Sequence, residues 1–214
     1  MKKTFYSLLA LLSLSAAATA QTKGNIEMGI NGGVNFSSVT GTDYYYDYYG
    51  YGGQTSESST SFNVGVSLDY YFSDRWSIKV KGIYDRKGWD NGSIEHNGDF
   101  YVTDYNLDYI TVPVMANWHF GSKRAWYLNF GPYVGFLTNA KDARFDTDVK
   151  DRFKSTDAGL AYGIGVKIPV NSKLKIFFEY EGQTGLAEIY DVDYEDNFTT
   201  NRGSFNVGLN FLLK

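Results

Sequence analysis

The sequence predicts an all-β fold: an eight-stranded antiparallel up-and-down transmembrane β-barrel with short turns at one end and long loops at the other. Three observations carry this. Eight segments alternate apolar and polar residues with period two, the mark of a strand with two different faces. The connections between them run long, short, long, short, long, short, long, as in a membrane barrel with short periplasmic turns and long extracellular loops. Aromatic residues reach 18%, with 23 Gly but only 3 Pro, a mixture suited to strands with crowded backbones. The pattern is clearest at 157–186. There Leu160, Tyr162, Ile164, Val166 and Ile168 alternate with Gly159, Ala161, Gly163, Gly165 and Lys167. After a polar turn at 171–173, Leu174, Ile176, Phe178 and Tyr180 alternate with Lys175, Phe177, Glu179 and Glu181. Each arm reaches the roughly 9–11 residues that a tilted strand needs to cross a bilayer.

The elements follow in order. Residues 25–36 form the first strand, with Ile26, Met28, Ile30, Val34 and Phe36 on one face. Residues 37–60 read as a polar loop, because TDYYYDYYGYGG has no periodic apolar face. The second strand, 61–72, ends at a tight turn, Ser73-Asp74-Arg75, and the third starts at Trp76. Residues 87–99 read as a second loop. The fourth strand spans about 101–120, and its apolar parity switches from Tyr105, Leu107 and Tyr109 to Ile110, Val112 and Val114. A β-bulge near 108–110 would restore one face; alternatively, the first half is a solvated extension above the bilayer. Pro113 within this run needs a place where its missing N–H is not used, such as a bulge. The fifth strand carries Trp126 to Phe136. The densely charged third loop covers 141–156, the 157–186 hairpin gives strands six and seven, and an acidic fourth loop covers 188–202. Strand eight is 204–213.

Alternation also suits a soluble barrel with its apolar face inside. Three features favour lipid on the apolar face. That face carries no charge in the clear spans, and an Arg or Lys at the bilayer midplane costs roughly 2–4 kcal/mol. The other face mixes Gly and Asn with charges of both signs, Glu27, Lys79, Lys81, Lys167, Lys175, Glu179 and Glu181 among them, a set able to pair inside a narrow lumen. Trp76, Trp118 and Trp126 sit beside the short turns, as a periplasmic aromatic belt would. An eight-strand barrel is just wide enough for its own side chains. The expectation is a plugged lumen, with Tyr127, Tyr133 and Phe177 packed over inward glycines.

The first 20 residues read as a signal peptide: Lys2 and Lys3, a short apolar core, and an Ala18-Thr19-Ala20 cleavage site leaving 21–214 as the barrel domain. Removing it lowers Lys+Arg from 20 to 18 against 24 Asp+Glu, so the net charge moves from −4 to −6. This acidity argues against nucleic acid. The absence of cysteine excludes disulfides, thiolate zinc sites and a cysteine nucleophile.

Several stretches together resemble the PorT-like outer-membrane β-barrel domain family over nearly all of 24–214: GGVNFSSVTG, IYDRKGW, LDYITVPV, WYLNFGPYVGFLTNAK, DAGLAYGIGVKI, YEGQTGL and NVGLNFLL. The resemblance implies a signal peptide, eight strands, the outer membrane of a Gram-negative bacterium and, for some members, a link to protein secretion. It supplies no catalytic residue. One departure is the C-terminus, where Phe211 is followed by Leu212-Leu213-Lys214 instead of ending the chain.

Few residues suggest chemistry. His96 lies near Asp90, Glu95 and Asp99, a grouping a rim enzyme could use, but no motif places a nucleophile beside it. His119 reads as a lumen-end or interfacial side chain. Asp191, Asp193, Glu195 and Asp196 resemble a calcium loop only superficially, since Asp196 stands where an EF-hand needs Gly and Arg202 where it needs Glu. Tyr44, Tyr45, Tyr46, Tyr48, Tyr49 and Tyr51 form a candidate surface-interaction loop, since Tyr offers contact area at low entropic cost. The reading is therefore a monomeric outer-membrane barrel with no catalytic residue, cofactor or metal. Its expected partners are membrane lipid, the barrel-assembly machinery during insertion, and extracellular or periplasmic proteins. A small-solute channel is the alternative, and a rim enzyme the second.

Overall fold

Eight strands pair into a closed ring. They are β1 (Ile26–Thr40), β4 (Glu57–Tyr71), β5 (Trp76–His96), β6 (Asp99–Phe120), β7 (Trp126–Asp142), β8 (Thr156–Pro169), β9 (Leu174–Gly185) and β10 (Thr199–Leu212). Each pairs antiparallel with its neighbours in sequence, and β1 closes the ring by pairing with β10. A separate two-stranded sheet, β2 (Asp43–Asp47) and β3 (Gly50–Gln54), lies within the β1–β4 connection. This computed structural model describes residues 22–40, 43–47, 50–54, 56–191 and 198–214. The expected leader at 1–20, Tyr48, Tyr49, Asp193, Glu195 and Asp196 lie outside those residues.

The two faces divide as the alternation requires. Met28, Ile30, Phe62, Val66, Leu160, Ile164, Phe178 and Val207 are exposed on the outside of the ring. Asn, Ser, Lys, Glu and Asp side chains are buried within it. From β4 to the residue just after it, the exposed apolar run extends from Phe62 to Phe72. Ten residues at roughly 3.3 Å each, tilted by about 40°, make a band roughly 25 Å tall, the height of a membrane barrel's apolar girdle. Trp76 and Trp118 pair across β5 and β6 at one margin, with ring centroids 6.4 Å apart. We call this margin, with its short connections, the turn end, and the opposite margin the loop end.

At the loop end the sequence reading needs correction. Residues 87–99 are not a loop: β5 and β6 continue as a paired hairpin to His96 and Asp99. The two residues between them, Asn97 and Gly98, have φ of 55° and 90°. A two-residue hairpin turn with both central φ positive is the type I′ geometry that Asn-Gly favours. The flanks of the first loop are also strand, as are 141–142 and 199–202.

The parity switch in β6 follows the second expectation, a solvated extension above the bilayer, and not a bulge in β6 itself. Odd-numbered residues of β6 point inward all the way from Thr103 to His119. What changes is the chemistry of the two faces. Within the membrane band the outward residues are apolar; above it the inward residues Tyr105, Leu107 and Tyr109 are. A register shift does lie between Asp108 and Tyr109, but the extra residue is Thr138 on β7, opposite the expected position. A second shift, between Trp89 and Gly92, puts an extra residue into β5 at Asn91, whose φ is 59°. Both bulges flip the inward parity of their own strand. Inward residues change from odd (Trp89) to even (Ile94) on β5, and from odd (Leu137) to even (Ala140) on β7. Pro113 sits at no bulge. The ladder to β5 lapses over Val112 and Pro113 and that to β7 over Val114 and Met115, with the register unchanged on either side.

Candidate functional site

The interior of the barrel contains three tiers of ion pairs beneath an apolar cap. At the turn end Lys167 of β8 reaches Glu27 Oε2 at 2.7 Å, Asp69 Oδ2 at 2.9 Å and the Tyr71 hydroxyl at 2.8 Å. Lys175 of β9 bonds the other Glu27 oxygen, and Asn117 donates to Asp69 at 3.1 Å. In the middle tier Lys79 and Lys81 of β5 reach across to Glu179 of β9 at 3.3 and 3.0 Å. Lys81 also pairs with Glu181, and Arg202 of β10 bridges Glu181 at 2.7 Å and Asp85 at 3.2 Å. In the upper tier Lys87 pairs with Asp157 at 2.8 Å, its ammonium over the rings of Tyr109 and Tyr133. Tyr133 and Thr200 hydroxyls also donate to Asp157.

Parity explains how these residues meet. Lys79, Lys81, Asp85 and Lys87 share one face of β5, and Lys175, Glu179 and Glu181 share one face of β9. The seven lumen charges expected from sequence, Glu27, Lys79, Lys81, Lys167, Lys175, Glu179 and Glu181, are all buried. Asp69 and Asp85 lie with them. Lys87, Asp157 and Arg202 complete the set; they stand at the margins of the expected loops, although Lys87 continues the β5 parity and Arg202 that of Ser204 and Asn206. In these three tiers six acids thus face six bases, and each of the twelve is in an ion pair; buried Asp108 and Asp142 lie outside the tiers. Such a lumen carries no net charge. Isolated charges in so buried a space would be costly, whereas paired and hydrogen-bonded ones are tolerated.

Aromatic rings close the remaining space. Cβ atoms at Gly165 and Gly208 would run into the Tyr127 and Phe177 rings, so only glycine admits those rings so close to the backbone. Gly159 instead meets the β9 backbone at Thr184. His119 is buried between Tyr71 and Tyr127, at centroid distances of 5.1 and 5.7 Å.

Above the ion pairs lies a core of the kind found in soluble proteins. Trp89, Ile94, Tyr105, Leu107, Tyr109, Leu137, Ala140, Val149, Phe153, Ile189, Tyr190 and Phe198 are buried together. They come from the extended β5–β6–β7 wall and from segments before β8 and β10. Trp89 stacks obliquely on Tyr105 at 4.9 Å and edge-on to Phe153 at 5.9 Å. The segment after β7 is pinned by Asp142, whose carboxylate accepts bonds from Thr103 and from the backbone N–H groups of Arg144, Phe145 and Thr147. Burial alone would raise this carboxyl; the Thr103 hydroxyl and the three amides outweigh that and hold it below its ordinary range.

The other singled-out residues fall as follows. Trp76, Trp118 and Trp126 are partly exposed beside the short turns, while Trp89 is in the cap. His96 lies at the hairpin tip, stacked on Phe145 at 4.3 Å. Tyr44, Tyr45 and Tyr46 lie in β2, and Tyr51 in β3. No cluster of three or more His, Cys, Asp or Glu able to hold a metal occurs among the described residues.

An apolar outer girdle, a closed ring of eight strands and a charge-paired interior define an integral membrane β-barrel. The chain belongs to the outer membrane protein beta-barrel domain family, whose sequence model matches residues 19–191. This family is coarser than the PorT-like group the sequence resembles. The fold is shared with Neisserial surface protein A (TM-score 0.52, 16% identity, covering 87% of this chain and 96% of that one). It is shared too with OprG from Pseudomonas aeruginosa (TM-score 0.55, 12% identity, covering 90% and 98%). At these identities the likeness is one of fold. No curated protein sequence matches this one.

Proposed function

We propose that this outer-membrane barrel is a non-conducting, non-enzymatic scaffold that presents its loop end to partners outside the cell, with the turn end in the periplasm. The observation that carries the reading is the neutral, mutually paired lumen beneath an apolar cap. Ions crossing it would have to break several buried ion pairs, each costing about 3–5 kcal/mol to disrupt by loss of one partner. The orientation is supported by the leader-like residues 1–20 and by the short connections at the turn end. The long β5–β6 hairpin supplies a surface beyond the membrane band, with Phe100 and Val102 exposed near its tip. An accessory part in secretion rests on the PorT-like resemblance and would act through such surfaces. Purified barrel added to planar bilayers should give no stable conductance steps while still migrating differently on gels when boiled and unboiled. Reproducible single-channel steps from heat-modifiable protein would replace this reading with the small-solute channel.

A further inference from the structure

The turn end bears a ring of positive charge. Going round it, Lys23 precedes β1, Arg75 lies in the β4–β5 turn, Lys123 and Arg124 in the β6–β7 turn, Lys173 in the β8–β9 turn, and Lys214 ends the chain. Hydrogen bonds link each station to the next. Lys23 N donates to Asp74 Oδ1 at 3.2 Å, and Arg124 Nη1 to the Asp74 carbonyl at 3.2 Å. Lys167 N then bonds the Ala125 carbonyl, Leu212 N the Lys173 carbonyl, and Ile26 N the Lys214 carbonyl, at 2.8, 2.8 and 2.9 Å. Six basic side chains therefore surround the barrel mouth, against the Asp74 side chain and the α-carboxylate of Lys214 among the described residues of this rim. Lys23, Arg75, Lys123, Lys173 and Lys214 are exposed; Arg124 is half-buried against Asp74.

The lumen cancels its own charge, so nothing within the barrel offsets this ring. At the opposite end, by contrast, acids outnumber bases two to one among the described side chains outside the lumen. The ring is also set at a definite depth. Arg75 adjoins Trp76, and Lys123 and Arg124 lie between Trp118 and Trp126, the three partly exposed tryptophans at the apolar margin. Long basic side chains next to interfacial tryptophans reach the headgroup level of a bilayer.

We propose that the turn end is a docking annulus for anionic glycerophospholipid headgroups. A soluble partner would meet a patch on one side of a rim; cations distributed around the whole circumference, level with an aromatic belt, match the shell of lipids that surrounds a barrel. Each Lys or Arg near an anionic surface favours binding by about fivefold. The attraction should weaken as salt shortens the screening length.

The test uses the full chain in bilayers of phosphatidylcholine, with spin-labelled phosphatidylglycerol or phosphatidylcholine as the probe. The labelled anionic lipid should associate with the barrel about twofold to fivefold more strongly than the zwitterionic one at low salt. The ratio should fall towards one at high salt and in the variant Arg75→Gln/Lys123→Gln/Lys173→Gln/Lys214→Gln. A loop-end variant, Lys150→Gln/Lys154→Gln, should leave it unchanged. Gel heat-modifiability checks folding, and if the fourfold variant does not fold, the four single variants should each lower the ratio. Equal association of the two lipids with the parent barrel overturns the proposal, as does a preference that the turn-end substitutions leave intact. Loss of the preference on adding millimolar inorganic phosphate, at ionic strength held constant with chloride, would mark a soluble-phosphate site and overturn the lipid assignment.

Discussion

Lys167 holds three partners at once at the turn end of the lumen: Glu27, Asp69 and the Tyr71 hydroxyl. Its environment makes the direction of substitution predictable. Lys167→Met keeps the volume but leaves buried Asp69 without its ion pair, while Glu27 keeps Lys175, so it should destabilise the barrel by about 3–5 kcal/mol in urea unfolding from lipid vesicles. Most of that loss is the cost of the uncompensated Asp69 carboxylate and not the value of the bond. The double variant Lys167→Met/Asp69→Asn, which leaves the Glu27–Lys175 pair intact, should therefore recover a large part of it. Equal stability of the parent and the single variant would show that water or neighbouring Lys175 already neutralises the tier.

At the scale of elements, the segment after β7 shows how one carboxylate organises a turn. Asp142 accepts from Thr103 and from three amides, and its own N–H bonds the Thr147 carbonyl at 3.1 Å. The Lys141–Asp146 pair beside it is exposed and contributes little. Because the folded state holds the Asp142 carboxyl below its ordinary value of 3.8, ionised Asp142 stabilises the turn. That stabilisation is fully present above 3.8 and is lost as pH falls through the lower folded value. Exchange protection of the Arg144, Phe145 and Thr147 amides, corrected for intrinsic rates, should be flat from neutral pH down to about 4 and then decline. Asp142→Asn should lower the protection and remove the decline. A flat profile down to pH 2 in the parent would show that backbone pairing alone holds the turn.

The same elements explain what could be read from the sequence. Within the membrane band, lipid outside and charge inside give each strand a clean two-residue period, so Met28 to Phe36 or Phe205 to Leu213 announce themselves. Beyond the band water replaces lipid outside and apolar rings replace ions inside. The alternation survives, but with its meaning reversed, and the bulges at Asn91 and Thr138 shift its phase. Residues 87–99 consequently resembled a loop, although Asn97-Gly98 is a hairpin signal that could have been recognised there. Lys87, Asp157 and Arg202 were missed as lumen charges for that reason: each lies where the clear period stops.

For the whole molecule, the reversal means two cores stacked along one barrel axis, held by different solvents. The lower is polar and shielded by lipid; the upper is apolar and shielded by water. They occlude the barrel in series, so disrupting one need not open it. Leu107 is fully buried in the cap, between the extended β5 and β7 strands. Leu107→Asp places a charge in that apolar core, which costs enough to unfold the cap locally. Protease cuts should then appear within 143–155 and 186–191, and Trp89 fluorescence should shift to the red as that buried ring meets water. The cap meets the upper tier where the Lys87 ammonium lies over the Tyr109 ring, and the tiers of Lys79, Lys81 and Lys167 lie nearer the turn end. Leu107→Asp protein should therefore remain heat-modifiable and electrically silent in planar bilayers. Conductance steps that accompany loss of the cap would locate the barrier in the apolar core instead, and the ion pairs beneath it would then be the wall of a gated path.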